Sequence, residues 1–396
     1  MKRIYMDHNA TTPLREAVLE TMLPYLRDQF GNASSLHFFG MQARAAIEAA
    51  REQVATALGA QPDEIVFTGC GTESDNQAIK GVAWANRDRG NHIVTSSIEH
   101  KAVMETCRYL EAQGFQVTYL PVDRYGMVSP DAVAGAITDR TVLVSVMFAN
   151  NEVGTIQPIA EIGQVCRERG VTFHTDAIQA VGKLPIDVTD LGVDMLSLSA
   201  HKLYGPKGVG ALYVREGVHA DPLLHGGQQE GRRRAATENV AGIVGLGKAT
   251  ELQVEDMASE AERLTALRER LYAGLAARID HVHQNGHPTR CLPGTLDVSF
   301  EYVEGEAIIL GLDLAGVAVS SGSACTSASP EPSHVLLAMG VEPTSAQGSV
   351  RFSLGHENTA ADVDYVVETL PPIIERLRAM SVLTPQPSFH ETASAQ

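Results

Sequence analysis

The sequence lacks any uninterrupted apolar run near the roughly 18 residues that a membrane-spanning helix needs. Its first residues, from Met1 to Asp7, also lack the apolar core of a secretory signal peptide. Both absences argue against a membrane protein and against an exported one. We therefore expect a cytoplasmic protein with no membrane partner.

Cysteines are few, and their number is odd. No two of the five form a CxxC pair, which argues against a disulfide framework or a zinc knuckle and favours reduced thiols. Three histidines, His281, His283 and His287, lie close together, but no cysteine or carboxylate spacing completes a metal site. No metal is therefore predicted. The five cysteines are Cys70, Cys107, Cys166, Cys291 and Cys325.

Positive charge is also scarce, because 31 Lys and Arg residues stand against 48 Asp and Glu residues, for a formal net charge of −17. A balance of this sign argues against a nucleic-acid partner. The motifs GxxxxGK(S/T) and GxGxxG are absent, which weakens the case for a nucleotide enzyme. What the chain does have is 396 residues with 44% hydrophobic content, enough for two domains and a sizeable core.

Short β-rich runs alternate with helical segments through the first half of the chain. This order predicts an α/β fold with a mostly parallel sheet covered by helices on both faces. The predicted strands are 65–68, 93–96, 117–120, 142–146, 171–174, 193–198 and 209–214, and the predicted helices are 12–24, 39–58, 73–88, 100–113 and 158–169.

A long helical stretch, 239–278, predicts a bridge to a smaller α+β domain. Strands are expected there at 296–300, 317–319 and 350–353, and helices at 305–314, 332–339 and 359–379. We assign residues 13–255 to the large domain, residues 1–12 and 256–384 to the small domain with a loop at 320–332, and residues 385–396 to a loose polar tail.

Polar residues follow five of the predicted strands. Parallel strands end at one edge of a sheet, where ligands bind, so these residues should meet there. They are Gly71 and Thr72 in a turn that opens a helix, His100, Asn151, Asp176 and Gln179, and Ser199, His201 and Lys202.

Each residue also has an ordinary structural interpretation: Thr72 as an N-cap, His100 as a buried histidine, and Lys202 as a surface lysine in a Gly/Pro turn. Together they supply the parts that hold pyridoxal phosphate, namely a helix start for the phosphate, a carboxylate for the pyridine nitrogen, and a poorly hydrated lysine for the aldehyde. In this arrangement Asp176 meets the ring nitrogen, Gln179 meets the phenolic oxygen, and His100 stacks on the ring.

Seven sequence blocks carry a family resemblance. They are YMDHNATT (5–12), GNASS (31–35), GTESDN (71–76), ANNEVG (149–154), HTDAIQ (174–179), SAHK (199–202) and SSGSACTS (320–327). Together they resemble the cysteine desulfurases, the NifS/IscS-like branch of the aminotransferase-like pyridoxal phosphate enzymes of fold type I. The resemblance extends to about residue 370 and implies a sheet of the seven-stranded type in the large domain.

The resemblance implies conversion of L-cysteine to L-alanine, with the sulfur held as a persulfide on Cys325. It implies Lys202 as the Schiff-base residue that also takes the Cα proton, and His100 as a proton carrier. Gly71, Thr72, Ser199 and His201 would hold the phosphate, Asp176 and Gln179 the ring, and Asn151 and Arg351 the substrate carboxylate. Thr237 would reach the phosphate of the neighbouring subunit in a homodimer.

The residues themselves bear on two of these roles. The segment 320–332 is small and hydroxyl-rich, so it predicts a loop in which Cys325 has little apolar cover and is accessible. Arg351 ends a predicted strand and is either a surface arginine or a clamp for a carboxylate. Three places depart from the family pattern: Cys70 and Ala236 stand where glycine is usual, and residues 356–358 (HEN) follow Gly355 where other residues are common.

Two alternative functions stay open at this point. A selenocysteine/cysteine lyase of the same fold would release the chalcogen without a protein persulfide. A non-catalytic sulfur-scaffold protein would keep the fold without the cofactor chemistry. For the desulfurase, we expect a sulfur-accepting scaffold or carrier protein as partner, serving iron–sulfur cluster assembly or other thio-compounds.

Overall fold

The computed structural model describes residues 3–322 and 332–381. Its strands are β1 Ile4–Tyr5, β2 Ile65–Thr68, β3 His92–Ser96, β4 Gln116–Leu120, β5 Thr141–Ser145, β6 Thr172–Asp176, β7 Met195–Ser199, β8 Gly210–Val214, β9 Val282–Asn285, β10 Thr295–Phe300, β11 Val317–Ala318 and β12 Ser349–Ser353. Its helices are α1 Glu16–Arg27, α2 Phe38–Leu58, α3 Gly71–Ala85, α4 Lys101–Ala112, α5 Pro130–Ala136, α6 Ile159–Arg169, α7 Val188–Leu191, α8 Val240–Ala276, α9 Gly305–Leu314, α10 His334–Ala338, α11 Pro343–Gln347 and α12 Ala360–Met380.

Seven strands form the main sheet, in the order β2-β8-β7-β6-β5-β3-β4. The pairs from β7 to β4 are parallel, whereas β8 runs antiparallel to both β2 and β7. Only residues 200–209 join β7 to β8, and this connection is too short for the crossover that a parallel neighbour requires. The predicted α/β fold with a mostly parallel sheet is confirmed.

Both faces of the main sheet are buried, because successive strand residues alternate between two apolar cores. In β2, Ile65 and Phe67 pack in one core and Val66 packs in the other. Helices α2 and α6 and the start of α8 cover the first face, and α3 and α4 cover the second. The sandwich holds the carboxyl ends of the parallel strands in fixed register.

A second, antiparallel sheet has the order β12-β10-β9 and its own apolar core, which includes Phe300, Phe352 and Leu271. Strand β9 was not predicted, since its sequence VHQN is mostly polar and lies at the sheet edge. Helix α8 runs through residues 255 and 256 without a break. The assignment of domain boundaries stays a prediction.

The end of α2 agrees with the sequence prediction, whereas the bounds of α1 do not. Helix α2 ends at Gly59, whose φ of 67° is the left-handed conformation that glycine favours, as the sequence indicates. Helix α1 begins later than predicted and continues past Pro24 to Arg27. Pro24 has no N–H to donate to the carbonyl four residues earlier, but it lies near the end of α1, so only the last turn loses a helical hydrogen bond. Within the described ranges, no helix has the length and apolar character needed to cross a membrane.

The N-terminal segment connects the second sheet to the main one. Strand β1 pairs in parallel with β11, and Met6 is fully buried in the core of the second sheet. The backbone N–H of Asn9 then donates to Ser353 Oγ at 2.9 Å. From there the chain passes the carboxyl end of β7, so this segment takes part in building the site.

Replacing Met6 by alanine tests how firmly this segment is anchored. Met6→Ala leaves a cavity in a closed core and should lower the free energy of unfolding by about 2–5 kcal/mol. Met380→Ala is the matched control, since Met380 is 67% exposed and its loss should change stability little. Urea unfolding of both variants measures the difference, and equal stabilities would contradict the anchoring.

Candidate active site

A cavity of about 320 Å³ opens where β6 and β7 end. Residues from several strand ends line it, as the parallel sheet predicts. Ten of the residues singled out in the sequence are among its lining: Gly71, Thr72, His100, Asn151, Asp176, Gln179, Ser199, His201, Lys202 and Arg351. The structure therefore brings these side chains to one place.

Lys202 lies directly after β7, in the short 3₁₀ turn Ala200–Lys202. The side chain is half-buried, and its Nζ donates to the carbonyl oxygens of Asn9 at 2.5 Å and Ala10 at 2.7 Å. These backbone acceptors come from the N-terminal segment. They hold the ammonium at the cavity wall.

The start of α3 offers the features of an anion site. Gly71 and Thr72 begin the helix at the cavity wall, where backbone N–H groups have no partner within the helix. Ser199 is 2% exposed, and its Oγ has no hydrogen-bond partner among the described residues. A Cβ at Gly71 would collide with the side chain of Ile178. The arrangement fits a phosphate group at this point.

Asp176 ends β6, and its Oδ1 accepts from the backbone N–H of Ile178 at 2.9 Å. Burial raises the pKa of Asp176, and the nearby His100 and Lys202 partly offset that rise. Asp75, fully buried close by, has its pKa raised well above the usual range by burial and then by the charge of Asp176. Asp176 is therefore the carboxyl of this pair that ionises first, facing the cavity.

His100 is the N-cap of α4, and its Nδ1 accepts from the backbone N–H of Ala102 at 3.1 Å. An Nδ1 that accepts leaves the proton of a neutral imidazole on Nε2. The His100 ring lines the cavity. His201, also at the cavity, has its pKa lowered to about 4 by burial and then by Lys202 and Lys207, so it is neutral.

Arg351 lies in β12, and its side chain is 3% exposed. Its guanidinium donates to the carbonyl oxygen of Asn151 at 2.9 Å and to Asp7 Oδ1 at 2.9 Å. Burial raises the pKa of Asp7, and the charge of Arg351 opposes that rise. The sequence did not indicate Asp7 as a partner, because 344 residues separate the two side chains.

Both described ends of the segment around residues 323–331 lie next to one carboxylate, that of Glu152. The Ser333 hydroxyl donates to Glu152 Oε2, and a Cβ on Gly322 would lie 2.5 Å from the same oxygen. Ser320 pairs with Arg351 through two backbone hydrogen bonds. The predicted nucleophile Cys325, most of the predicted loop 320–332 and the predicted tail 385–396 lie outside the described residues.

Thr237 does not line this cavity and is exposed. The preceding residue, Ala236, has a φ of 106°, a conformation that favours glycine. This geometry explains why glycine is usual at the position. Cys70 does line the cavity, where its Sγ caps α3 by accepting from the backbone N–H of Glu73 at 3.4 Å.

Two contributors to the site were missed by sequence reasoning. Asn9 acts through its backbone carbonyl, which leaves no side-chain signal, although it belongs to the YMDHNATT block. Lys183 Nζ donates to Gln179 Oε1 at 2.8 Å. The spacing of four residues in a glycine-containing turn could have indicated this contact.

The chain also matches known proteins along its length. The Aminotransferase class-V family matches residues 4–366. The chain therefore belongs to this family, and with the cavity and its lysine it is an enzyme of the class that depends on pyridoxal phosphate.

Comparison with individual relatives shows which kind of pyridoxal phosphate enzyme the chain is. The cysteine desulfurase IscS of Methanosarcina thermophila is 58% identical over 97% of this chain and 95% of its own length. A solved structure of a NifS-like protein has a TM-score of 0.90 at 42% identity and covers 95% of this chain and 100% of that one. A structure described as SspA in complex with cysteine has a TM-score of 0.80 at 42% identity, covering 89% and 98%. The chain is thus a cysteine desulfurase of the NifS/IscS-like branch, as its motifs predicted.

The buried carboxyl of Glu99, next to His100, generates a pH prediction. Burial raises the pKa of Glu99 from 4.5 to about 8, although Ser96 Oγ and the backbone N–H of Met147 both donate to it. The folded protein thus favours the protonated form. The stabilisation by this neutral carboxyl is complete below pH 4.5 and is lost as the pH rises through about 8.

Glu99→Gln keeps the group neutral at every pH. The free energy of unfolding of this variant, relative to the native protein, should therefore increase from pH 5 to pH 8, by up to about 1.4 kcal/mol per pH unit. Glu105→Gln, at a side chain 60% exposed, is the control and should show a flat difference. Urea unfolding at several pH values measures both, and a flat difference for the Glu99 variant would show that Glu99 is ionised in the fold.

Proposed function

We propose that this chain converts L-cysteine to L-alanine and holds the removed sulfur as a persulfide on Cys325. The observation that carries the proposal is the convergence of Lys202, Asp176 and Arg351 on one cavity of about 320 Å³. Gly322, which precedes the SACTS sequence containing Cys325, lines the same cavity.

The cofactor assignment follows from the chemistry of the lining. Pyridoxal phosphate, when bound, supplies an electron sink for the charge left when the substrate Cα loses a proton. Lys202 would hold its aldehyde carbon, and Asp176 its pyridine nitrogen as an ion pair. The ionised form of Asp176 is needed for this, and a protonated ring nitrogen beside it would lower the carboxyl pKa.

Four residues would hold the phosphate of this cofactor. Gly71 and Thr72 offer backbone N–H groups at the positive end of α3, and Ser199 offers a hydroxyl that has no hydrogen-bond partner within residues 3–322 and 332–381. His201 is neutral, so it contributes a hydrogen bond and not a charge. His100 would stack on the ring, and Gln179 would donate to the phenolic oxygen.

Lys202 would also act as the base that removes the Cα proton. A lysine that has taken a proton needs acceptors, and the carbonyl oxygens of Asn9 and Ala10 hold its ammonium in this structure. His100, with its proton on Nε2, would carry protons to and from the thiols. Both groups are positioned by backbone contacts, which keeps their donor and acceptor atoms fixed.

Arg351 would bind the substrate carboxylate. Its guanidinium is buried and already directed by the Asn151 carbonyl and by Asp7, and its Nε has no hydrogen-bond partner among the described residues. A buried donor without a partner costs free energy, which a carboxylate oxygen would recover. Asn151, at the same cavity wall, would assist.

The sulfur step uses the thiolate of Cys325. This sulfur attacks the substrate sulfur, an S–S bond forms, and the Cβ–S bond of the substrate breaks. The carbon fragment keeps the bonding electrons and is protonated to L-alanine. The sum of L-cysteine and the Cys325 thiol equals L-alanine and the persulfide, so no external oxidant is needed.

A homodimer is part of the proposal. Large apolar side chains are exposed around the start of α2, including Phe30 at 74%, Leu36 at 87% and Phe38 at 63%. Contiguous exposed apolar surface of this kind marks an interface. A second cavity, of about 570 Å³, is lined by Ala33 and Ser34 from this segment and by residues 228–231, 233 and 238. Thr237 therefore lies near the apolar surface, where a second copy would bind.

The persulfide sulfur would pass to a scaffold or carrier protein, for iron–sulfur clusters or other thio-compounds. A cytoplasmic location suits this role because persulfides and thiols persist where the environment is reducing. The four described cysteines are free thiols.

Replacing Cys325 separates a desulfurase from a lyase. With L-cysteine and a reductant, Cys325→Ala should lower the rates of alanine and sulfide formation by a factor of at least about 100, since the nucleophile is lost. Cys70→Ala, which removes the cysteine among the described residues that lines the cavity, should keep the activity. Full activity of the Cys325 variant would rule out the persulfide, and a protein that never becomes coloured with pyridoxal phosphate would rule out the enzyme.

Mixed dimers test the role of Thr237. Thr237→Ala homodimers should bind pyridoxal phosphate on the order of tenfold more weakly, since a hydrogen bond to an anion is lost. In a heterodimer of Thr237→Ala with Lys202→Ala subunits, the site with the intact lysine receives Thr237 from the other subunit. One site per dimer should then bind with native affinity, measured by the visible absorbance. A weak site in the heterodimer would place Thr237 within its own subunit.

A further inference from the structure

Gln179 has a side-chain amide whose two ends face different partners. Its Nε2 donates to the carbonyl oxygen of Asn9 at 2.9 Å, and its Oε1 accepts from Lys183 Nζ at 2.8 Å. A carbonyl oxygen can only accept, and an ammonium can only donate. The two contacts therefore allow one orientation of the amide, in which one N–H remains for a ligand in the cavity.

Lys183 is in an unusual position for a lysine. It is half-buried at the end of the turn that follows β6, and the hydrogen bond to Gln179 is the side-chain contact found for it among the described residues. Within those residues no carboxylate lies within ion-pair distance of its Nζ. Burial, together with the charges of Lys202 and Arg351, lowers the pKa of Lys183 to about 7. A pKa of about 7 leaves Lys183 charged in only part of the molecules at neutral pH, and an anion nearby would favour the charged form.

The local backbone explains how Lys183 reaches Gln179. Residues 177–184 form successive turns, with backbone hydrogen bonds from Val181 to Ala177 and from Leu184 to Ala180. Gly182 has a φ of 71°, and a Cβ there would lie 2.8 Å from the Cβ of Gln253. Glycine at this position lets the chain bend so that Lys183 lies over the amide four residues earlier.

We propose that Lys183 is a positioning residue that fixes the Gln179 amide with its NH₂ group toward the cavity, and that its charge favours a phenolate oxygen on the bound cofactor. The inference rests on the proposed function, since it takes Gln179 to donate to the phenolic oxygen. Without Lys183 the amide loses the donor that fixes its Oε1 end. The amide is then held only at its Nε2 end, by the Asn9 carbonyl, so the N–H that faces the cavity is less firmly placed for the phenolate.

Lys183→Met and Lys183→Arg separate this role from a structural one. Methionine keeps the length of the side chain without a donor, whereas arginine keeps a cation that only donates. Lys183→Met should weaken binding of pyridoxal phosphate on the order of tenfold. It should also raise the pH midpoint of the visible absorbance band. A phenolate oxygen that loses a hydrogen bond and a nearby positive charge favours the protonated imine beside it and so raises the pKa of that imine.

Lys183→Arg should restore both values. The cavity's other charged groups, Asp176, Lys202, Arg351 and Asp7, are the same in both variants, so the difference between them reports on position 183. Lys248→Met removes a lysine that pairs with Glu251 on α8 and controls for net charge. Thermal unfolding of the cofactor-free variants checks that they fold, and Lys183→Ala replaces Lys183→Met if the latter does not.

A double variant decides whether Lys183 acts through Gln179. In a Gln179→Leu background, Lys183→Met should have little further effect on affinity or on the pH midpoint. Effects that add in full would overturn the positioning role, as would an unchanged affinity and midpoint in Lys183→Met alone. If the native protein with pyridoxal phosphate shows no visible absorbance band that disappears on borohydride treatment, the proposed function itself is overturned.

Discussion

The site depends on the carbonyl oxygen of Asn9, which accepts hydrogen bonds from both Lys202 and Gln179. The backbone N–H of Asn9 donates to Ser353 Oγ, and its side-chain amide donates to Thr295 Oγ1; both acceptors lie in the second sheet. Lys202 follows β7 and Gln179 follows β6 of the main sheet. One peptide group thus sets the distance between the two sheets at the cavity, and a change in either sheet would move the atoms that hold the cofactor.

Charge in the cavity is opposite to that of the whole molecule. The chain has a formal net charge of −17, yet Lys183, Lys202 and Arg351 are close enough for each of the other two to lower the pKa of Lys183. Burial raises the pKa of two buried carboxyls nearby, well above the usual range for Asp75 and to about 8 for Glu99. The raised pKa values reduce the negative charge that these carboxyls contribute, so the cations beside the cavity favour a phosphate and a carboxylate even though the surface repels anions.

The sequence was sufficient for the fold and for most residues of the cavity, because strand–helix alternation and strand ends are local signals. The antiparallel β8, the edge strand β9 and the end of α1 depend on connection length and on tertiary contacts, which periodicity does not report. The contacts of Asp7 with Arg351 and of Asn9 with Lys202 join residues about 340 and 190 positions apart. No spacing rule predicts such pairs, and any residue type can supply a backbone carbonyl, so the acceptor at Asn9 cannot be recognised from the sequence. Lys183 was within reach of local reasoning, but a lysine is usually read as solvated.

The residues proposed for the chemistry come from two places: the ends of the main-sheet strands, and the chain on either side of residues 323–331. Lys202, Asp176 and Gln179 follow strands of a sheet buried on both faces, so their relative positions are set by packing. On the two described sides of residues 323–331, Ser320 pairs with the backbone of Arg351 and Ser333 donates to Glu152. Asn151, next to Glu152, holds the guanidinium of Arg351. Arg351, which would bind the substrate carboxylate, therefore also holds the described chain before residue 323, and Glu152, the neighbour of Asn151, holds the described chain after residue 331.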